Sequence, residues 1–211
     1  MNGYKTVVKE TESVTVIDRS KFICAVKGIE TEAQAKEFIG YVRKKYPLAT
    51  HYCYAYIADD AGRNRKFSDD GEPHGTAGMP ILNVLISRGV YKTVAVVVRY
   101  FGGIKLGTGG LSRAYGGAVS SALDGADIRE FSDAEFYTLS LSYGGYEKIS
   151  SALTGAVVST EYGESVKVKI AVKPSGGQNL IAKISELLGS EVKIVSEGKG
   201  YFAFLQGENS R

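Results

Sequence analysis

Two stretches of this chain concentrate residue types able to do chemistry. The first, Asp69-Asp70-Gly71-Glu72-Pro73-His74-Gly75, sets three carboxylates and an imidazole within one turn's length. Such a group can hold a metal ion or share acid–base work. It is also the material of a tight turn: aspartates bond nearby backbone amides, Gly71 supplies a positive φ and Pro73 restrains the exit. The turn is the reading adopted here. The second stretch is Arg99-Tyr100-Phe101-Gly102-Gly103-Ile104-Lys105-Leu106-Gly107-Thr108-Gly109-Gly110-Leu111-Ser112-Arg113. Glycines at 102, 103, 107, 109 and 110 let backbone amides turn toward a ligand. A helix starting near Leu111 would add unsatisfied N–H groups and a positive dipole end, a combination that suits phosphate. Tight packing of strand against helix would use the same glycines, and both readings stand at this point.

The known nucleotide motifs do not fit. Gly102 to Gly110 contains neither the order G-x-x-x-x-G-K-[ST] nor G-x-G-x-x-G. No serine sits in a G-x-S-x-G elbow, and His51 and Cys53 have no visible partner, so they read as a strand-face histidine and a buried thiol. No catalytic residue, metal-ligand set or cofactor is expected. Charge points instead to an anionic partner. No acidic residue lies between Glu72 and Asp124, while Arg88, Lys92, Arg99, Lys105 and Arg113 all do. The expected nucleic-acid or phosphate contacts are therefore Arg88, Arg99, Lys105 and Arg113 with the five glycines. The overall net charge of +3 is too mild to carry that expectation alone.

The elements that must hold these stretches follow from periodicity. Residues Tyr4 to Lys27 alternate as two or three strands. Thr31, with Gln34 three residues on, opens a helix whose apolar side is Ala35, Phe38, Ile39 and Val42, stopped by Pro47. His51 to Ile57 alternates as a strand with Tyr52, Tyr54 and Tyr56 on one face, where they either pack against a helix or stack bases. Pro80 fits the first turn of a helix to about Arg88. Tyr91 to Tyr100 is a strand apolar on both faces, hence central and covered. Leu111 to Gly125 is a helix.

Beyond this point the pattern changes. Phe136–Leu141, a short helix over Tyr146–Leu153, Ala156–Tyr162, Val166–Val172, a helix around Leu180–Leu188, and a last strand from Val192 to Leu205 give the order β-α-β-β-α-β. The expected class is α+β in two domains, 1–134 and 135–211. Two cysteines far apart, Cys24 and Cys53, give no disulfide framework or zinc knuckle. Neither a signal peptide nor a membrane-length apolar run is visible, so a cytoplasmic location and no membrane partner are expected.

The runs Asp69-Asp70-Gly71-Glu72-Pro73…Gly75-Thr76-Ala77-Gly78 and Arg99-Tyr100-Phe101-Gly102-Gly103-Ile104-Lys105-Leu106-Gly107…Gly109-Gly110-Leu111…Arg113-Ala114-Tyr115 resemble the IMPACT/YigZ family, in order and in spacing. The resemblance implies an N-terminal domain like the second domain of ribosomal protein S5 and a C-terminal ferredoxin-like domain resembling those of elongation factors. Eukaryotic relatives regulate translation under amino-acid starvation by competing for a protein partner. A translation-associated, non-enzymatic protein binding RNA, another nucleic acid or ribosome-linked partners is thus the leading expectation. A protein handling a small phosphorylated ligand or nucleotide at the glycine-rich loop, and a pure protein-interaction module in stress control of translation, are the alternatives.

Overall fold

The computed structural model describes residues 3–174, 176–189 and 193–204, without the side chain of Gln178. The chain is a mixture of helices and two sheets, divided into two compact units, Tyr4–Arg129 and a second beginning at Glu130.

In the first unit, β1 (Tyr4–Val7) precedes a hairpin of β2 (Thr11–Ile17) and β3 (Ser20–Gly28). Its two-residue turn places both Asp18 (φ 44°) and Arg19 (φ 63°) in the left-handed region, the conformation that matches the twist of paired strands. α1 (Glu32–Lys45) starts as its sequence dictates: the Thr31 side chain accepts the Gln34 N–H at 3.3 Å. The Gln34 side chain in turn accepts the N–H of Glu30 at 2.6 Å. β4 (His51–Ile57), β5 (Arg65–Ser68), α2 (Gly78–Ser87), β6 (Thr93–Tyr100) and α3 (Gly107–Asp124) complete the unit. The antiparallel sheet runs β2-β3-β6-β4-β5.

Helix α1 covers one face of this sheet, over Ile23, Ala25, Val94, Val96 and Val98. Helices α2 and α3 cover the other, over Cys24, Val26, Cys53, Ala55, Ala95 and Val97. Every residue from Thr93 to Arg99 is buried, so β6 is the covered central strand its composition demands. The tyrosine face belongs to α1: Tyr56 is buried with that helix, Tyr52 and Tyr54 pack beside it, and the Tyr52 hydroxyl donates to the Tyr46 carbonyl at 2.6 Å. Strand β5 has no counterpart among the elements expected from periodicity. Its Arg65 and Lys66 are both exposed on an edge strand, where burial leaves no apolar pattern to see.

The second unit follows the expected order. β7 (Ile128–Leu141) leads to α4 (Tyr143–Ile149) and a 3₁₀ turn (Ser151–Leu153), then β8 (Val157–Tyr162), β9 (Val166–Val172), α5 (Gly177–Leu188) and β10 (Lys193–Phe202). These strands lie in the antiparallel order β10-β7-β9-β8. Leu139, Leu141, Val166, Val168 and Ile170 from the sheet meet Ile149, Leu153 and Ile184 to form its core. A bulge in β10 falls between Ser196 and Gly198, and Gly198 takes a positive φ there. The proposed strand ends Val192 and Leu205 lie outside the described residues.

Candidate functional site

The acidic loop is built as a turn, and each of its acids is engaged. Backbone Glu72 N–H bonds the Asp69 carbonyl at 2.9 Å. The Asp69 side chain then closes the start of α2: Oδ1 accepts the N–H groups of Ala77 (3.0 Å) and Gly78 (2.8 Å), and Oδ2 that of Gly75 (2.8 Å). Burial alone would raise the Asp69 carboxyl, but those three amides, with His74 nearby, outweigh it and hold the group below the usual carboxylate range. Asp70 ties the loop to its neighbours through the Tyr52 amide at 2.7 Å and Arg43 at 2.5 Å. The side chain of His74 is fully exposed.

Glu72 takes a different place. It is buried, and its Oε1 accepts from Arg99 Nη1 at 2.6 Å and from the Tyr115 hydroxyl at 2.7 Å. Tyr115 is driven far above the ordinary tyrosine value, by burial first and then by Cys53 and Glu72, so it remains a hydrogen-bond donor. The Arg99 guanidinium lies over two rings, 5.5 Å from the Phe22 centroid and 5.3 Å from that of Phe101. Register explains this meeting: Arg99 pairs directly with Phe22 on β3 and with His51 on β4. The His51 Nδ1 bonds the Asp70 carbonyl at 2.8 Å, and its Nε2 lies 3.8 Å from Glu72 Oε2.

Above this network is an open cleft of about 440 Å³, lined by His51, Glu72 and Arg99 with Phe101, Lys105, Leu106 and Leu111. The two motif stretches thus meet in space. Glu72, Tyr115, His51 and Phe101 were not picked as site residues from the sequence. One signal was present: alternation puts Arg99 on the same face of β6 as Ala95 and Val97, and a buried arginine requires an acid.

The glycines divide between the two readings that the sequence left open. Gly102 serves packing: a Cβ there would lie 2.0 Å from the Arg19 carbonyl carbon in the β2–β3 turn. Gly103 and Gly107 take positive φ (85° and 68°) and bend the chain into α3. That helix begins at Gly107, earlier than the sequence implies, so Gly107, Gly109 and Gly110 form its first turn instead of a preceding loop. Gly107, Thr108 and Gly109 are exposed, no side chain caps the helix start, and its first turn carries no acid. The start of α2 is closed from within the chain; the start of α3 is open.

Folding also redistributes the cations of the acid-free stretch. Arg88 meets Asp124 at 2.8 Å, Lys92 meets Glu30 at 2.8 Å, and Arg99 meets Glu72. Arg88 sits at the far end of α3 from Arg113, about 16 Å along the helix axis for the eleven helical steps from Arg113 to Asp124. Lys105 and Arg113 are both exposed at the start of α3, and neither has a carboxylate partner among the described residues.

The cysteines take no part in the cleft. Cys24 and Cys53 each pair with Val97 from opposite sides. Two strand spacings place their Cα atoms about 9–10 Å apart, beyond disulfide reach. Burial pushes the Cys53 thiol up to about 12 and raises Cys24 further still. Both thiols are expected to resist iodoacetamide at pH 8 in the folded protein and to react fully in denaturant. Rapid labelling of either without denaturant would contradict their burial.

Among the described residues no helix is long and apolar enough to cross a membrane. The model of the Impact N-terminal domain matches residues 18–123, a span holding both motif stretches and the cleft. IMPACT family member YigZ of Escherichia coli (strain K12) is 36% identical over 196 residues, covering 90% of this chain and 93% of that protein. IMPACT family member YvyE of Bacillus subtilis (strain 168) is 44% identical over 153 residues, 72% of this chain and 70% of the relative. A solved structure described as that of a hypothetical protein aligns with TM-score 0.62 and 34% identity, over 92% of this chain and 97% of its own. With the domain model spanning the cleft and a relative aligned along nine tenths of the sequence, the chain belongs to the IMPACT family.

Proposed function

We propose that this protein is a non-enzymatic, translation-associated factor that holds RNA by its phosphates at the start of α3. The observation that carries the reading is the contrast between two helix starts beside one cleft. Asp69 neutralises and caps that of α2, whereas that of α3 is exposed, uncapped and flanked by two cations, Lys105 and Arg113, with no carboxylate partner among the described residues. Exposed amides, a positive dipole end and two full charges favour an anion there. Glu72, the one acid lining the cleft among the described residues, is neutralised by Arg99 and does not oppose it. Phosphate contacts fix position without reading sequence, so binding should be general with respect to base order. Family kinship supplies the translation context, because the resemblance implies translation control for eukaryotic relatives. The strand orders of the two units support the finer assignment of a ribosomal S5 domain 2-like fold and a ferredoxin-like fold.

Fluorescence anisotropy of labelled single-stranded RNA against the full chain, over a salt series, tests the placement. The Lys105→Glu/Arg113→Glu variant should bind at least tenfold more weakly. Its slope of log affinity against log salt should fall by roughly 1.4, the counterions of two single-strand phosphate contacts. Unchanged affinity and slope would remove the α3 start as the binding surface.

A further inference from the structure

We infer that the cleft seats a single unpaired nucleotide, its phosphate on the first turn of α3 and its base against the outer face of the Phe101 ring, which rests on the nucleic-acid reading above. Size comes first. About 440 Å³ lies within the roughly 300–1,000 Å³ of pockets that enclose one small molecule, and a stacked base pair does not enter it.

Shape and rigidity come next. Phe101 is 46% exposed although it follows a strand buried from Thr93 to Arg99, and the Arg99 guanidinium lies over its ring at 5.3 Å. The exposed part of the ring lines the cleft, where a base could stack. Arg99 is fixed in turn by Glu72, Phe22 and the Ser20 hydroxyl, so the ring rests on an ordered support. The Arg99 side chain is only 5% exposed, and its Nε has no hydrogen-bond partner among the described residues. Leu106 and Leu111 supply apolar walls, and Lys105 stands on the same rim as the open amides of α3. An aromatic face, apolar walls and an anion site at one edge match the base and phosphate of one nucleotide. Stacking is tolerant of base identity, in keeping with general binding.

Calorimetric titration of the full chain with uridine 5′-monophosphate, beside inorganic phosphate, tests the seat directly. The nucleotide should bind at least tenfold more tightly than phosphate and should compete with labelled single-stranded RNA. Phe101→Ala should weaken nucleotide binding about tenfold, within the range for losing one stacked base, while leaving phosphate binding unchanged and lowering the melting temperature by no more than the few degrees that losing its contact with Arg99 costs. Phe101→Tyr, which keeps the ring, should bind as the native chain does. Equal affinity for nucleotide and phosphate, or indifference to Phe101→Ala, overturns the inference. RNA binding that depends on Lys105 and Arg113 but not on Phe101 would leave the phosphate surface standing without the seat. Phe101-dependent nucleotide binding without RNA binding would support the seat and overturn the RNA reading.

Discussion

Arg99→Met is expected to destabilise the first unit by about 3–5 kcal/mol, because it leaves the Glu72 carboxylate buried with its charge uncompensated. The pair is almost wholly removed from water, with side-chain exposures of 5% for Arg99 and 3% for Glu72. Only the Tyr115 hydroxyl would remain to hold that oxygen. In thermal unfolding the loss should read as a fall of roughly 10 °C. A double change, Arg99→Met with Glu72→Gln, should recover much of it, since the amide keeps an acceptor for Tyr115 and carries no charge. A cost below about 1 kcal/mol for the single change, or no recovery in the double, would show that the buried pair is not what joins the two motif stretches.

Asp69→Ala should cost about 2–3 kcal/mol, the loss of a charged acceptor shared by three amides at a helix start. The pH dependence has a definite sign. The folded carboxyl titrates below its unfolded value, so its stabilisation is complete above about pH 4 and is lost as pH falls through the depressed folded value. The native chain should therefore lose stability on the acid side more steeply than Asp69→Asn, whose amide cannot titrate. Denaturant melts at pH 7 and at pH 3 compare the two. Parallel acid limbs would mean that Asp69 is not the group responsible.

Much of the scaffold is legible in the sequence because burial writes itself as period. The Thr31 cap, the covered run Val94–Val98 and the strand Val166–Val172 all appear where composition puts them. β5 has no such signature, and α3 starts early because glycines in a helix look like a loop from sequence alone. The site was harder to read for another reason. A stretch without acids is not a surface without acids: Asp124, Glu30 and Glu72, from outside that stretch, neutralise Arg88, Lys92 and Arg99. Pairing is decided by the fold, so linear charge overstated the cationic face, and among the described residues of that stretch Lys105 and Arg113 are the two cations left without a carboxylate partner. The role of Glu72 was hidden in the same way, since its partner lies 27 positions along the chain.

The position of β6 has a consequence for synthesis on the ribosome. It lies between β3 and β4, both of which precede it in the chain, and pairs with each along seven or more residues. A nascent chain released as far as α2 thus holds two half-sheets whose facing edges have no strand to complete them. They become one sheet only when Thr93–Tyr100 emerges and slides into the gap. Until then exposed edges and apolar faces invite wrong pairing. Ribosome-bound fragments ending before residue 93 should be protease-sensitive and held by chaperones. Protection of the first unit should arrive in a single step once β6, and α3 behind it, have cleared the exit tunnel.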